Sequence, residues 1–599
     1  MPDKRFAAKQ KQFSKGEKKQ ILRRLWKYAK KCKGLFALAI ALVLLSNAFS
    51  LLGPWLSGKA VDCIGEMEGC VNFEGLFFYA GLMVGFYILS AVFSYFLAVL
   101  MVRISQKVTV AMRGDLFDRL LSLPVGFFDR NQTGDILSVF SYDVATVNET
   151  LSHDLVHLIT SSITIVGSFV MMLTIAPPLV CVFLVTIPLS VFLTRFITKR
   201  TRPLFRRRSE KLGELNGYVE EMVGGGATIR AYGREEAVTD RFDGKNDEAV
   251  EAYTNAEHYG AITGPTVNFV NNLSLALVSA LGALLYLGQI PFMGTIAIGT
   301  VTSFILYSRK FSGPINEIAN MYGELQSSFS AAERVFRLMD EIPEKADAEN
   351  AKHLPSVEGH VRMENVSFGY TKEKRILSGF HLDAPKGSMI AIVGPTGAGK
   401  TTVINLLMRF YDIDEGSVTL DGEDIYGLCR RDVRGAYTMV LQDTWLFRGT
   451  VAENIAYGKE GATREEIVSA ARAAGIHRFV ESLPDGYDTV LSEDGVNISK
   501  GQKQLLTIAR AMLSDARMLI LDEATSNVDT RTEKQIQSAM RKLMRDKTCF
   551  VIAHRLSTVE NADMILVVKD GTVAERGTHE ELLRAGGIYA GMYSSQFDS

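Results

Sequence analysis

The sequence predicts an N-terminal all-α domain of six membrane-crossing helices fused to a C-terminal soluble α/β domain. Three observations lead there. Long charge-free apolar stretches occur only in the first half of the 599 residues. Short β-rich runs alternate with helical patterns in the second half. A glycine-rich loop ending in Lys-Thr-Thr joins one such run to a helix.

The apolar stretches cover residues 34–58, 75–102, 155–194 and 259–308. Each of the first two has the ~20 apolar residues that cross a bilayer core. The other two are about twice that length and are broken at Ala176-Pro177-Pro178 and at Gln289-Ile290-Pro291, so each reads as a helical hairpin. Six spans result. A buried soluble helix is the alternative for any one run, but several together do not fit a soluble core. The first run is too long for a signal-peptide core, and no cleavable signal is expected.

Charge places the loops. Residues 1–33 carry 13 Lys or Arg against Asp3 and Glu17, which puts this end in the cytoplasm. The segment after the first span holds Asp62, Glu66, Glu68 and Glu74 with Lys59, as an outside loop does. Lys199, Arg200, Arg202, Arg206, Arg207, Arg208 and Lys211 return the chain to the inside. Ile21, Leu22, Leu25, Trp26 and Tyr28 among these basic residues fit a helix lying in the bilayer interface. The cytoplasmic loops, 103–154 and 195–258, are helical and amphipathic, with tips expected at 124–135 and 225–235 where Gly and Pro interrupt the pattern. Whole-chain charge is nearly balanced, 66 Lys plus Arg against 67 Asp plus Glu, and offers no basis for a nucleic-acid partner. The six cysteines form no zinc spacing; only Cys63 and Cys70, both in the outside loop, are placed for a disulfide or two free thiols. We expect the membrane domain at 1–342, a polar linker at 343–359 and the soluble domain at 360–599.

Residues Gly394, Pro395, Thr396, Gly397, Ala398, Gly399, Lys400, Thr401 and Thr402 follow the apolar run 389–393 and precede the helical run 403–408, the context a phosphate-binding P-loop requires. Glycines let backbone N–H groups curl around phosphate, Lys400 brings a cation to the β and γ phosphates, and Thr401 offers a hydroxyl to Mg²⁺. The apolar run 518–521 ends in Asp522 and Glu523. Asp522 is the expected Mg²⁺ ligand and Glu523 the group that polarises attacking water. His554, after the run 549–553, is a candidate donor to the γ-phosphate. ATP and Mg²⁺ are therefore the expected cofactors.

Between these motifs lies Ile498-Ser499-Lys500-Gly501-Gln502, which resembles the L-S-G-G-Q signature of ATP-binding-cassette (ABC) ATPases. The resemblance extends over the soluble domain. It implies that Tyr370 stacks on adenine, that Gln442 links Mg²⁺ to the membrane domain, that Ser526 to Asp529 form the D-loop, that His554 is the switch histidine, and that Ser499, Gly501 and Gln502 meet the nucleotide held by a partner. Six spans ahead of one cassette, with Pro124-Val125-Gly126-Phe127-Phe128-Asp129, resemble the exporter branch, which includes multidrug and lipid exporters. That branch implies a dimer of half-transporters in a membrane. Lys500 departs from the family's usual glycine, and points to a heterodimer with one weaker site; a homodimer that tolerates Lys is the alternative.

Cargo is less legible. Asn268, Asn271 and Asn272 share a helix face in the fifth span, and Asn47 in the first span could face the same space; these amides either line a cavity or bond neighbouring helices. Phe86, Tyr87, Phe93, Tyr95 and Phe96 suit an amphipathic compound or simple packing. The expectation is export of hydrophobic or amphipathic compounds from a bacterial cytoplasmic membrane, with both termini cytoplasmic. Lipid flipping, or regulation of a membrane partner by the ATPase, are the alternatives.

Overall fold

A computed structural model describes residues 14–64, 71–288, 295–354, 356–442, 444–491, 498–522, 530–552 and 559–597. The chain forms two compact units. One comprises Met1–Leu121 and Thr133–Glu341, the other Ser122–Gln132 and Ile342–Ser599.

The described residues of the first unit form helices joined by short turns. It opens on an amphipathic helix, Lys15–Ala29, whose N-terminus is closed by a reciprocal pair: Ser14 accepts from Glu17 N–H, and the Glu17 carboxylate accepts from Ser14 N–H. Ile21 is buried while Leu22 and Trp26 are exposed, so this helix presents apolar side chains on two sides, as an interfacial helix does. Among the described residues, five helical segments are long and apolar enough to cross a membrane: Gly16–Asp62, Phe73–Leu121, Thr133–Ile175, Pro177–Gly224 and Glu235–Tyr286. A sixth long helix, Ile298–Met339, is less apolar because Arg309, Lys310 and Glu317 follow its first turns. The hairpin break expected at Ala176 is present: one helix ends at Ile175 and the next starts with Pro177, whose missing N–H costs nothing at a helix start. The break at Gln289 to Pro291 lies outside the described residues. The tips expected at 124–135 and 225–235 include six-residue helices, Val125–Arg130, which belongs to the second unit, and Gly226–Ala231.

Close approach of the helices depends on small and hydroxyl residues. Ser46 and Ser90 exchange hydrogen bonds with each other's backbone carbonyls at 3.1 and 2.9 Å, joining the helices Lys33–Asp62 and Phe73–Leu121. Gly58 and Gly299 bring the first long helix against the last, and a Cβ on either would overlap the other's carbonyl oxygen. Gly299 N–H donates to Asp62 at 2.8 Å beside this crossing. Replacing Gly299 with Leu should therefore separate the two helices and lower stability by about 1–3 kcal/mol, the usual cost of overpacking. A melting temperature in detergent equal to wild type would refute this. Met172, Leu179, Phe183, Val278, Leu285, Phe304 and Tyr307 form one apolar core of the bundle.

The second unit is α/β. A six-stranded sheet runs in the order Thr572–Gly577, Met564–Lys569, Met389–Val393, Thr548–Ile552, Met518–Asp522 and Tyr437–Val440. All its pairings are parallel except the outermost one, between Met564–Lys569 and Thr572–Gly577. The central strands are buried on both faces and read as continuous apolar runs for that reason. A four-stranded antiparallel sheet, ordered Leu377–Ala384, Val361–Phe368, Glu415–Leu420 and Glu423–Asp424, packs against the same core.

The stretch expected as a polar linker is tied down rather than loose. Glu344 pairs with Arg434 through both carboxylate oxygens, at 2.5 and 3.1 Å, and Asp347 accepts from Arg430 N–H at 3.0 Å. Asp421 receives the N–H groups of Glu358, Gly359 and His360. Low apolar periodicity marks the stretch as polar and carries no information about these ties.

Candidate functional site

The phosphate loop leaves the strand Met389–Val393 and enters the helix Lys400–Leu407. Gly394 has φ 153° and a Cβ there would overlap the carbonyl oxygen of Val568; Gly397, at φ 83°, has open space where a side chain would be. That opening lets a phosphate reach the backbone. Lys400 is 6% exposed, and its ammonium donates to the loop's own carbonyls, Gly394 at 2.7 Å and Pro395 at 3.1 Å. A buried cation is thus held at the centre of the loop.

Strand register sets the other groups. Ile552 pairs with Ile392 on one side and with Asp522 on the other. Asp522 is therefore level with the end of the P-loop strand, two strands away, roughly 10 Å at the usual spacing. Glu523, Ser526 to Asp529 and His554 follow these strand ends and lie outside the described residues. Gln442 is exposed just beyond Val440, which pairs with Leu521, so it emerges at the same sheet edge as Asp522. Thr401, Gln442 and Asp522 together offer hard oxygen donors of the kind Mg²⁺ takes.

Tyr370 flanks the loop. Its ring is 43% exposed, and its hydroxyl lies 3.3 Å from Thr402 Oγ1 and accepts from Asn405 at 3.0 Å. An exposed ring beside a phosphate loop is suited to stacking on a base. Thr396 and Ala398 complete the loop, Ala398 packing into the core.

Ser499 caps the helix Lys500–Leu513: its hydroxyl accepts from Gln502 N–H at 3.3 Å, and the Gln502 side chain accepts from Ser499 N–H at 2.9 Å. Ile498 and Gly501 are buried, which anchors the turn. Lys500 is exposed in the first turn. A cation there opposes the helix dipole, so its charge is best matched by an anion approaching that end.

Sequence reasoning missed Tyr411. Its hydroxyl donates to Asp129 at 2.5 Å, and its ring packs edge-on to Tyr370 with centroids 5.0 Å apart. Gly126 makes room, since a Cβ there would lie 2.8 Å from the Tyr411 ring. Burial, and then the Asp129 carboxylate, push the Tyr411 phenol well above its ordinary range, so it remains a donor at any working pH. The segment Val125–Arg130, between two membrane helices in the chain, is thereby connected through Tyr411 to Tyr370 and Thr402. No periodicity or motif marks Tyr411; only the aromatic run at Phe410 and Tyr411 could have hinted at it. Tyr411→Phe should retain ATP binding but reduce cargo-stimulated ATPase several-fold relative to basal activity. Equal stimulation in the variant and wild type would argue against the connection.

In the membrane unit, Asn47 is not open to a cavity. It is buried, donates to Val43 O at 2.8 Å and accepts from Thr164 at 2.9 Å, so it joins helices. Asn268 and Asn272 are exposed and Asn271 is half-buried. Phe86 and Phe93 pack on Phe49, at 5.3 and 5.9 Å, while Tyr87, Tyr95 and Phe96 are exposed. Cys70 lies outside the described residues, and with it any pairing to Cys63.

A helical membrane unit joined to a P-loop α/β unit with a capped signature helix defines a membrane-embedded ATPase. Residues 36–315 match the ABC transporter transmembrane region and residues 377–526 the ABC transporter family. The chain is 46% identical over 484 residues to the fatty acid ABC transporter ATP-binding/permease protein of Mycobacterium tuberculosis, covering 81% of this chain and 76% of that protein. It is 35% identical over 586 residues to the ATP-dependent lipid A-core flippase of Salmonella typhimurium, covering 96% and 98%. A solved bacterial Atm1-family ABC exporter with ATP bound superposes with TM-score 0.75 at 30% identity, covering 94% and 98%. The chain belongs to the ABC transporter family. It is a half-transporter that couples ATP hydrolysis to export across a membrane, and exporters of this kind work as dimers.

Proposed function

We propose that the chain exports hydrophobic or amphipathic compounds by alternating access, as one half of a dimeric exporter in a bacterial cytoplasmic membrane with both termini in the cytoplasm. The observation that carries this reading is the 46% identity with a fatty acid ABC transporter across both halves of the chain. In this reading residues 1–342 form the cargo path, 343–359 the connection and 360–599 the ATPase. Lys400 neutralises the transferred phosphate, Thr401, Gln442 and Asp522 hold Mg²⁺, Tyr370 stacks on adenine, Glu523 polarises the attacking water and His554 donates to the γ-phosphate. Ser499, Gly501 and Gln502 close over nucleotide bound by the partner.

Lys500 favours a heterodimer. A long cation at the signature changes how the partner's nucleotide is gripped, leaving one strong site, with Glu523, and one weaker site. Purified alone, the chain should show little cargo-stimulated turnover; fast stimulated turnover without a second subunit would establish a homodimer. Reconstitution into proteoliposomes tests export itself: ATP-dependent accumulation of an amphipathic dye is expected. Accumulation of none, with ATPase intact, would return the chain to a regulatory role. Lipid flipping is the second reading, favoured by the 35% identity with a lipid A-core flippase, and would appear as transfer of labelled lipid between leaflets.

A further inference from the structure

Lys310 is a cation near mid-membrane whose partners, among the described residues, are neutral. At ~1.5 Å per residue it lies about 18 Å along its helix from Ile298, and Ser50 lies about 18 Å from Asp62 at the end of the first long helix. The Gly299–Asp62 hydrogen bond holds those two ends together, so the two estimates describe one depth, near the middle of a ~30 Å hydrocarbon core. The Lys310 ammonium donates to Ser50 O at 2.5 Å and to Ser50 Oγ at 2.7 Å, and stands 5.9 Å from the centroid of the Tyr87 ring. Tyr87 reaches this point because Gly53 has no side chain; a Cβ there would overlap the phenol.

Among the described residues no carboxylate lies within ion-pair distance of Lys310. Glu317, two turns further along the same helix, instead accepts from Ser161 at 3.1 Å. A cation at this depth is costly unless an anion joins it, and residues of this kind in membrane helices mark ligand paths. Neutral acceptors orient the ammonium without cancelling its charge. Lys310 and Ser50 are only partly buried and Tyr87 is 41% exposed, so a ligand can reach the group.

We propose that Lys310, with Ser50 and Tyr87, forms the headgroup site for an anionic amphiphile, whose carboxylate or phosphate supplies the missing negative charge while its acyl chain lies along exposed aromatic and apolar side chains. This rests on the export reading and narrows its cargo to anions. Ser50 Oγ can turn to donate to the same anion, and the Tyr87 ring flanks it.

The test uses the full-length protein, with its partner subunit if one is required, in nanodiscs for binding and in proteoliposomes for transport. Three ligands share one acyl chain: oleate, 1-oleoyl lysophosphatidate and methyl oleate. Wild type should bind at least one anion ten-fold or more tighter than the uncharged ester. The tighter of the two anions tells whether the headgroup is carboxylate or phosphate. Lys310→Gln, which keeps a donor for Ser50 O without the charge, should abolish that preference while changing ester affinity less than three-fold. Lys310→Arg should preserve the preference, and separates loss of charge from loss of fold. Wild type without a preference for either anion, or Lys310→Gln retaining it, overturns the headgroup site. If the ester is transported and no anion is favoured, only this site falls. If no amphiphile of either charge is transported, the export reading falls with it.

Discussion

Glu523→Gln is expected to bind ATP normally and to hydrolyse it about a hundred- to ten-thousand-fold more slowly, the range lost when a general base is removed. Binding is spared because the phosphate cradle is built elsewhere, from the loop backbone and from Lys400 held over Gly394 and Pro395. The strand Met518–Asp522, buried until its last residue, delivers Asp522 half-buried to the sheet edge, and Glu523 is the next residue in the sequence. Amide for carboxylate preserves size while removing the proton acceptor. The checks are phosphate release and retention of labelled nucleotide; wild-type turnover would remove Glu523 from catalysis.

Gly394→Ala should be nearly as damaging by a different route. The backbone at φ 153° is one that L side chains rarely adopt, and the new methyl would overlap a carbonyl oxygen of the neighbouring strand Met564–Lys569. Backbone cannot swing aside as a flexible side chain can. Either the strand pairing between Met389–Val393 and Met564–Lys569 opens or the loop shifts off its phosphate geometry, at a cost of about 1–3 kcal/mol or more. Nucleotide affinity should fall at least ten-fold, as read by titration with a fluorescent ATP analogue. Gly397→Ala is the control: the space there is open, so only conformational strain at φ 83° remains, and a smaller loss is expected. Equal affinities for Gly394→Ala and wild type would show that the loop tolerates the overlap.

Much of this was legible before any coordinates, for reasons that differ by element. Spans were readable because a bilayer demands ~20 consecutive apolar residues, a requirement local to the chain. The hairpin at Ala176 was readable because Pro177 and Pro178 suit a helix start but not a helix interior. The P-loop was readable because its glycines, Lys400 and Thr401 act at fixed spacing within one turn. The last long helix was harder to delimit. Its apolar run was expected to stop near Ser308, yet the helix continues to Met339, carrying Lys310 and Glu317 with hydroxyl and carbonyl partners on other helices. Composition registers those charges but not the partners that make them tolerable. Asn47 shows the same limit: an amide in an apolar span can line a cavity or bond a neighbour, and only the position of Thr164 decides.

The sequence by itself therefore determined the class: a helical membrane domain, a P-loop ATPase and the signature that makes them an ABC half-transporter. These features depend on periodicity and on short motifs whose members are neighbours in the chain. Tertiary structure alone decided that Tyr411 joins Asp129 to Tyr370, that the polar stretch after residue 342 is bound by Arg430 and Arg434, and that Lys310 meets Ser50 and Tyr87. Each of those contacts joins residues far apart in the chain, where spacing carries no information and packing sets the distance.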